Sequence, residues 1–152
     1  MQNKLKDILI ICYANYCRSP AAERILSSLN NQGDYFIFSR GINPMTIIDM
    51  DQRTKKFLRN KSIDSEGHTP LPVTKKDISE ANLIIALDFS IYNHLAQKYD
   101  FNKSKMILMN EFDPFITTED PFKKSSEEYN QVMENIFTLS KSLSDRLGSL
   151  IK

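Results

Sequence analysis

Ile8-Leu9-Ile10-Ile11-Cys12-Tyr13-Ala14-Asn15-Tyr16-Cys17-Arg18-Ser19-Pro20 is the stretch on which the fold turns. The apolar run Ile8 to Ile11 reads as a strand buried on both faces, the pattern of a parallel sheet, and the strand is expected over Asp7 to Cys12. Pro20 suits the first position of a helix, where its missing N–H costs nothing, and Ser19 is the expected N-cap. Between strand and helix, the Cys12 thiol and the Arg18 guanidinium bracket a short loop. A nucleophilic sulfur, a ring of backbone N–H groups and a fixed positive charge then surround one small tetrahedral anion. The loop reads as a phosphate cradle.

Apolar runs alternate with segments of helical period outward from this unit, which predicts an α/β domain with a mainly parallel sheet. Ala21, Ala22, Ile25, Leu26 and Leu29 give the first helix its core face, and Asn30 to Gly33 end it. Strands are expected at Tyr35 to Ser39, Asn82 to Leu87 and Lys105 to Met109. Helices are expected at Met50 to Leu58, Lys75 to Glu80, Asp88 to Lys98 and from Ser126 onward. In the last helix Tyr129, Val132, Met133, Ile136, Phe137, Leu139, Leu143 and Leu147 form one apolar stripe. The acidic, proline-bearing stretch from Asn110 to Lys124 is long for a loop in a compact domain, and such loops are usually functional.

The bulk properties narrow the function classes. At 152 residues the chain is expected to be one domain, 1–152. The net charge of +1 and the lack of long like-charge runs argue against a nucleic-acid surface or a polybasic membrane patch. No apolar run approaches the roughly 20 residues of a membrane span, and Met1 to Asp7 has no signal-like apolar region, so a cytoplasmic protein without membrane insertion is expected. Only two cysteines occur, Cys12 and Cys17, too few for a disulfide scaffold.

Those cysteines carry chemistry. A thiol attacks as its thiolate, an anion favoured by a helix N-terminus and a neighbouring cation, and Cys12 has both. It would form a cysteinyl-phosphate that water later hydrolyses. Arg18 offers a planar fork to two phosphate oxygens, which lysine cannot copy. The Ser19 hydroxyl can donate to the sulfur, and Asn15 can hold the loop open by bonding its neighbours' backbone. A cysteine ending a buried strand is more often a small core residue, and a Cys-x5-Arg pattern alone is weak. A zinc site would need more ligands than these two cysteines, and the histidines are not at ligand spacing. Strand, loop, Ser-Pro and Arg all falling where a phosphate cradle requires them tips the balance, and neither metal nor cofactor is expected.

The segment Cys12 to Pro20 resembles the signature of the low-molecular-weight protein tyrosine phosphatases. The similarity extends through Ser39-Arg40-Gly41, His68, Ala86-Leu87-Asp88 and Glu119-Asp120-Pro121-Phe122, in family order over most of the chain. The resemblance implies a three-layer sandwich with a central four-stranded parallel sheet flanked by helices, and metal-free hydrolysis of phosphotyrosine esters. It implies Cys12 as nucleophile, Arg18 as phosphate ligand and Asp120 as proton donor. Asp113-Pro114 competes with Asp120-Pro121, but only Asp120 is followed by an aromatic and then by the Ser126 helix start. The general requirement is an acid for the leaving phenolate that then serves as base on water, although Asp-Pro most often simply opens a turn.

Further expectations follow from the same resemblance. Ser39 and His68 are expected to bond Asn15 and brace the loop, with Glu23 as partner for the His68 charge. Asp88, at a strand C-terminus where open α/β sheets place their ligands, is either a site residue or the N-cap of the next helix. Tyr13, Tyr16 and Phe122 are read as aromatic walls around a phenyl phosphate, and Cys17 as a trap for oxidised Cys12 through a disulfide. Together with Ala14, these loop residues make up the expected substrate-binding set. Ala14 stands where the family usually has glycine, which would strain the loop if that position needs positive φ. Arg40, Lys123 and Lys124 are read as a positive rim favouring acidic phosphopeptides. Tyr16 replaces a small aliphatic at a position separating phosphotyrosine from phosphoarginine enzymes in related proteins, so phosphoarginine remains an alternative substrate. Arsenate reductase shares this architecture but needs cysteines beyond Cys17, and none follows. A non-catalytic anion-binding module needs neither thiolate nor proton donor. Expected partners are phosphotyrosine proteins or peptides, a bacterial tyrosine kinase of polysaccharide export among them.

Overall fold

The computed structural model describes residues 4–151; the expectation about a leader segment falls partly on Met1 to Asn3, outside the described residues. Four parallel strands build the sheet: β1 (Lys6–Cys12), β2 (Tyr35–Gly41), β3 (Leu83–Ala86) and β4 (Met106–Leu108), in the order β2-β1-β3-β4. Ile8, Leu9, Ile10 and Ile11 are fully buried because side chains from both faces of β1 meet helices.

On one face, Ile8 and Ile10 join a core with α1 (Arg18–Leu29), α2 (Gln52–Asn60) and α5 (Ser126–Ser144). On the other, Leu9 and Ile11 pack with Ile78 of α3 (Lys75–Glu80) and with Ile91 and Leu95 of α4 (Phe89–Lys98). The apolar stripe of the last helix is buried as its spacing predicts except for Phe137, which is half-buried, and the helix breaks after Ser144. Leu147 belongs to a separate short helix, α6 (Leu147–Leu150). No described helix is long and apolar enough to cross a membrane.

Because every strand runs the same way, their C-terminal ends share one edge of the sheet. The chain leaves β1 toward β2 on one side and returns to β3 on the other, so the loop after β1 sits where the strand order reverses. Open α/β sheets bind their ligands at such a point.

The first helix differs from expectation at its start. It begins at Arg18, with Cys17 in the N-cap position and no side-chain cap, so Ser19 is already inside the first turn. The Ser19 hydroxyl is engaged with the Cys12 sulfur instead. Pro20 remains within the first turn, whose N–H groups have no partners inside the helix.

Candidate active site

Six consecutive carbonyls, Cys12 to Cys17, are turned outward and held. Ile42 N donates to Cys12 O (3.2 Å), Asn43 N to Tyr13 O (2.8 Å), Met45 N to Ala14 O (2.9 Å) and Asp51 N to Tyr16 O (2.9 Å). His68 Nε2 donates to Asn15 O (2.7 Å), and Thr54 Oγ1 to Cys17 O (3.3 Å). With the carbonyls engaged outside, the N–H groups of the loop are the polar groups left for an anion inside it. The sequence reading missed this outer brace of residues 42–45, Asp51 and Thr54. Asp51 carried a legible signal, since it is the side-chain cap of α2 and aspartate is a favoured N-cap.

The strained turn that makes the nest falls on Asn15, with φ of 52°, and not on Ala14, so alanine at 14 fits without cost. Asn15 is fully buried and its side chain is saturated. Leu71 N donates to Asn15 Oδ1 (3.0 Å), while Asn15 Nδ2 donates to Ser19 Oγ (2.8 Å) and Ser39 Oγ (2.9 Å). Ser39 Oγ in turn donates to Glu23 Oε1 (2.8 Å). Since Ser19 Oγ accepts from Asn15, its hydrogen is free for Cys12 Sγ at 2.9 Å, the arrangement that stabilises a sulfur anion.

Glu23 makes no direct hydrogen bond to His68, its oxygens accepting from Ser39 and from Arg24 Nε at 3.0 Å, but its charge acts on the imidazole and favours the protonated form. Burial pushes the His68 imidazole below its ordinary value, so the ring serves as a neutral donor to Asn15 O.

Arg18 is 3% exposed, and its Nη1 donates to Asp88 Oδ2 (2.7 Å) and Thr118 O (2.8 Å). Burial works against its charge, but Cys12 and Asp88 outweigh that and hold the guanidinium above its usual value. Asp88 caps α4 through Oδ1, which accepts from Ile91 N (2.9 Å), while its Oδ2 accepts from Arg18. Thr118, which no motif singled out, acts through its main-chain oxygen and so leaves no signature in sequence.

Above the loop opens a cleft of about 440 Å³ lined by Cys12, Arg18, Tyr13, Tyr16, Asp120 and Phe122, among others. The Tyr16 and Phe122 rings meet edge to face at 6.3 Å. Asp120 faces this cleft, whereas Asp113 accepts a hydrogen bond from Ser142 of α5 (3.0 Å) and does not line it. The positive rim is thinner than expected. Arg40 turns to Asp77 (3.3 Å) and lies over the Phe38 ring, Lys124 pairs with Glu119 (3.3 Å), and Lys123 alone of the three lines the cleft. Cys17 is 6% exposed, with its thiol toward Asp51 Oδ2 (3.8 Å), and burial pushes that thiol up to about 12. Both cysteines are free thiols.

The family model of low molecular weight phosphotyrosine protein phosphatase matches residues 7–150. The chain belongs to this family. Among similar members, the low molecular weight protein-tyrosine-phosphatase Ptp of Acinetobacter johnsonii is 29% identical over 67% of this chain and 70% of its own. The low molecular weight protein-tyrosine-phosphatase Etp of Escherichia coli K12 is 25% identical over 97% and 98%. The fold of this phosphatase family is matched in Wzb of Vibrio vulnificus in complex with benzylphosphonate, with TM-score 0.84 and 22% identity over 94% of this chain and 99% of that one. Its phosphatases work through a cysteinyl-phosphate, and the features such chemistry needs, a thiol at an anion nest, a fork-shaped cation and a carboxylate, meet here in one cleft.

Proposed function

We propose that the protein hydrolyses phosphotyrosine esters with Cys12 as nucleophile, Arg18 as phosphate ligand and Asp120 as proton donor. The observation that supports this most is that Cys12, Arg18 and Asp120 line a single cleft whose flanks include Tyr13, Tyr16 and Phe122. The Cys12 thiolate attacks phosphorus, an S–P bond forms as the P–O bond to the phenol breaks, and Asp120 hands its proton to the departing oxygen. In the second step Asp120 takes a proton from water, whose oxygen displaces the sulfur, and Ser19 donates to the thiolate that leaves. Loop N–H groups and Arg18 hold the equatorial oxygens throughout, where each donor typically contributes on the order of 100-fold in rate.

Phosphotyrosine is favoured over phosphoarginine by the aromatic flanks, which offer flat apolar area to a phenyl ring. An arginine phosphatase, YwlE, shares the fold at TM-score 0.83 and 23% identity, so phosphoarginine is the second reading. We infer a cytoplasmic enzyme, 1–152 forming one domain, acting on phosphotyrosine proteins or peptides such as a bacterial tyrosine kinase of polysaccharide export. The family and its bacterial members support that inference.

Mass spectrometry of acid-quenched enzyme mixed with p-nitrophenyl phosphate tests the central step. The phosphoryl group is expected on Cys12, with turnover in EDTA, and Cys12→Ser should abolish turnover. A label on another residue refutes the mechanism, and binding without turnover favours an anion-binding module. Rates on matched phosphotyrosine and phosphoarginine peptides separate the two substrate readings.

A further inference from the structure

We propose that Arg53 is a positioning residue that ties the Asp120 segment to the phosphate loop. The inference rests on the reading of Asp120 as the acid. Arg53 does not itself line the cleft, but it joins the two elements that must keep register.

On one side, Arg53 Nη2 donates to the main-chain oxygen of Phe122 (3.1 Å), and Phe122 N donates to Asp120 Oδ1 (3.1 Å). The carboxylate is thus fixed by the same short turn that the guanidinium grips, leaving Oδ2 for the substrate. On the other side, Asp51 takes Arg53 in a fork. Its Oδ1 accepts from Arg53 Nε (3.1 Å) and its Oδ2 from Nη2 (2.9 Å). Asp51 also donates its own N–H to Tyr16 O (2.9 Å) and receives the Cys17 thiol. A continuous path therefore runs from the phosphate loop through Asp51 and Arg53 to Phe122 and Asp120. The guanidinium lies 4.0 Å from the centre of the Tyr129 ring, which supports it from below.

The long stretch between β4 and α5 explains why such a tie is needed. Asp120 is exposed and precedes α5, so neither strand nor helix geometry sets its position. A misplacement of about 1 Å in a reacting group can cost on the order of 100-fold in rate. Nη2 serves both Asp51 and the Phe122 carbonyl, and the planar fork adds the parallel Nε bond that fixes its orientation on Asp51, which is why arginine suits this place.

The test compares Arg53→Ala, Asp120→Ala and the double variant on p-nitrophenyl phosphate, whose leaving group needs little protonation, and on phenyl phosphate, whose leaving group needs it. Arg53→Ala is expected to lose roughly tenfold in kcat on phenyl phosphate and no more than about threefold on p-nitrophenyl phosphate. Inhibition by inorganic phosphate should stay within about twofold, and in the Asp120→Ala background the selective loss should vanish. Arg53→Met keeps an apolar stem over Tyr129 if the alanine variant is unstable, and should show the same selectivity. Equal losses on both esters, a matching loss of phosphate inhibition, or full additivity with Asp120→Ala would overturn the proposal. If Asp120→Ala itself fails to discriminate between the esters, the acid assignment falls instead.

Discussion

Gly41 lies so close to Asn15 that a β-carbon added to it would stand 2.9 Å from the Asn15 Cβ, from Asn15 N and from Tyr13 O. Two of those three atoms are backbone, so the crowding cannot be relieved by turning a side chain. The end of β2 thereby forms a floor beneath the phosphate loop, and its shape requires glycine. Gly41→Ala is expected to push Asn15 out of place, lowering kcat/KM at least tenfold and weakening inhibition by inorganic phosphate, with a stability loss of ~1–3 kcal/mol. Steady-state kinetics and thermal unfolding check both. Unchanged kinetics would mean that the loop yields without consequence.

The grip of Asp88 on Arg18 predicts an effect on both stability and rate. Asp88→Asn retains an oxygen able to cap α4 but turns an amide NH2 toward the Arg18 donor, so its unfolding temperature should fall below the parent's. It removes the negative partner of a buried guanidinium, so kcat/KM should fall about tenfold as Arg18 loses its set position. A variant with parental kinetics would show that Thr118 O suffices to orient the guanidinium.

Two aspartates preceding prolines have different surroundings, and the difference is measurable. Asp120→Ala should lose about 100-fold or more on phenyl phosphate, the usual scale for removing a general acid. Asp113→Ala should leave that rate nearly unchanged and cost about 1 kcal/mol in stability through its lost bond to Ser142. The opposite ranking of rates would transfer the acid role to Asp113.

Acid sensitivity of the fold should trace in part to His68. Its folded-state value lies below the unfolded one because the ring is buried, so the unfolded chain binds the proton more readily. The stabilising contribution of the neutral ring is therefore complete above about 6.5, the ordinary histidine value, and is lost as the pH falls through the lower folded value. His68→Gln should flatten the dependence of unfolding free energy on pH in that acid range. A wild-type curve that is already flat there would remove His68 as its cause.

The strands and most of the helices were legible because each carries its own periodicity: the apolar run of β1, the short runs of β3 and β4, the stripe of α5. What local rules could not see were partners distant in sequence. Ser19 followed by proline satisfies every local criterion for an N-cap, yet a sulfur seven positions earlier claims its hydroxyl. Arg40 looked like rim charge until Asp77, brought over by α3, was found against it. Glu23 acts on His68 by charge alone, since Ser39 and Arg24 take its direct hydrogen bonds. Cys12, Arg18 and Asp120, which line one cleft, could be proposed from sequence because the chemistry asked of them is encoded in side-chain type and order. The carbonyl of Thr118, the floor at Gly41 and the Asp51–Arg53 fork are properties of backbone placement or long-range pairing, and spacing alone does not announce them.

The Cys17 thiol is turned to Asp51 and stays protonated at neutral pH, whereas the Cys12 sulfur faces the Ser19 hydroxyl at the base of the nest, so the two sulfurs of this chain are expected to differ in their susceptibility to alkylation. Iodoacetate, a small carboxylate drawn to the same nest as phosphate, should modify one sulfur per molecule and spare the other. With Cys12 as the proposed nucleophile, the fraction of chains carboxymethylated there would count the competent molecules in any preparation, without a fluorescent tag or an engineered label.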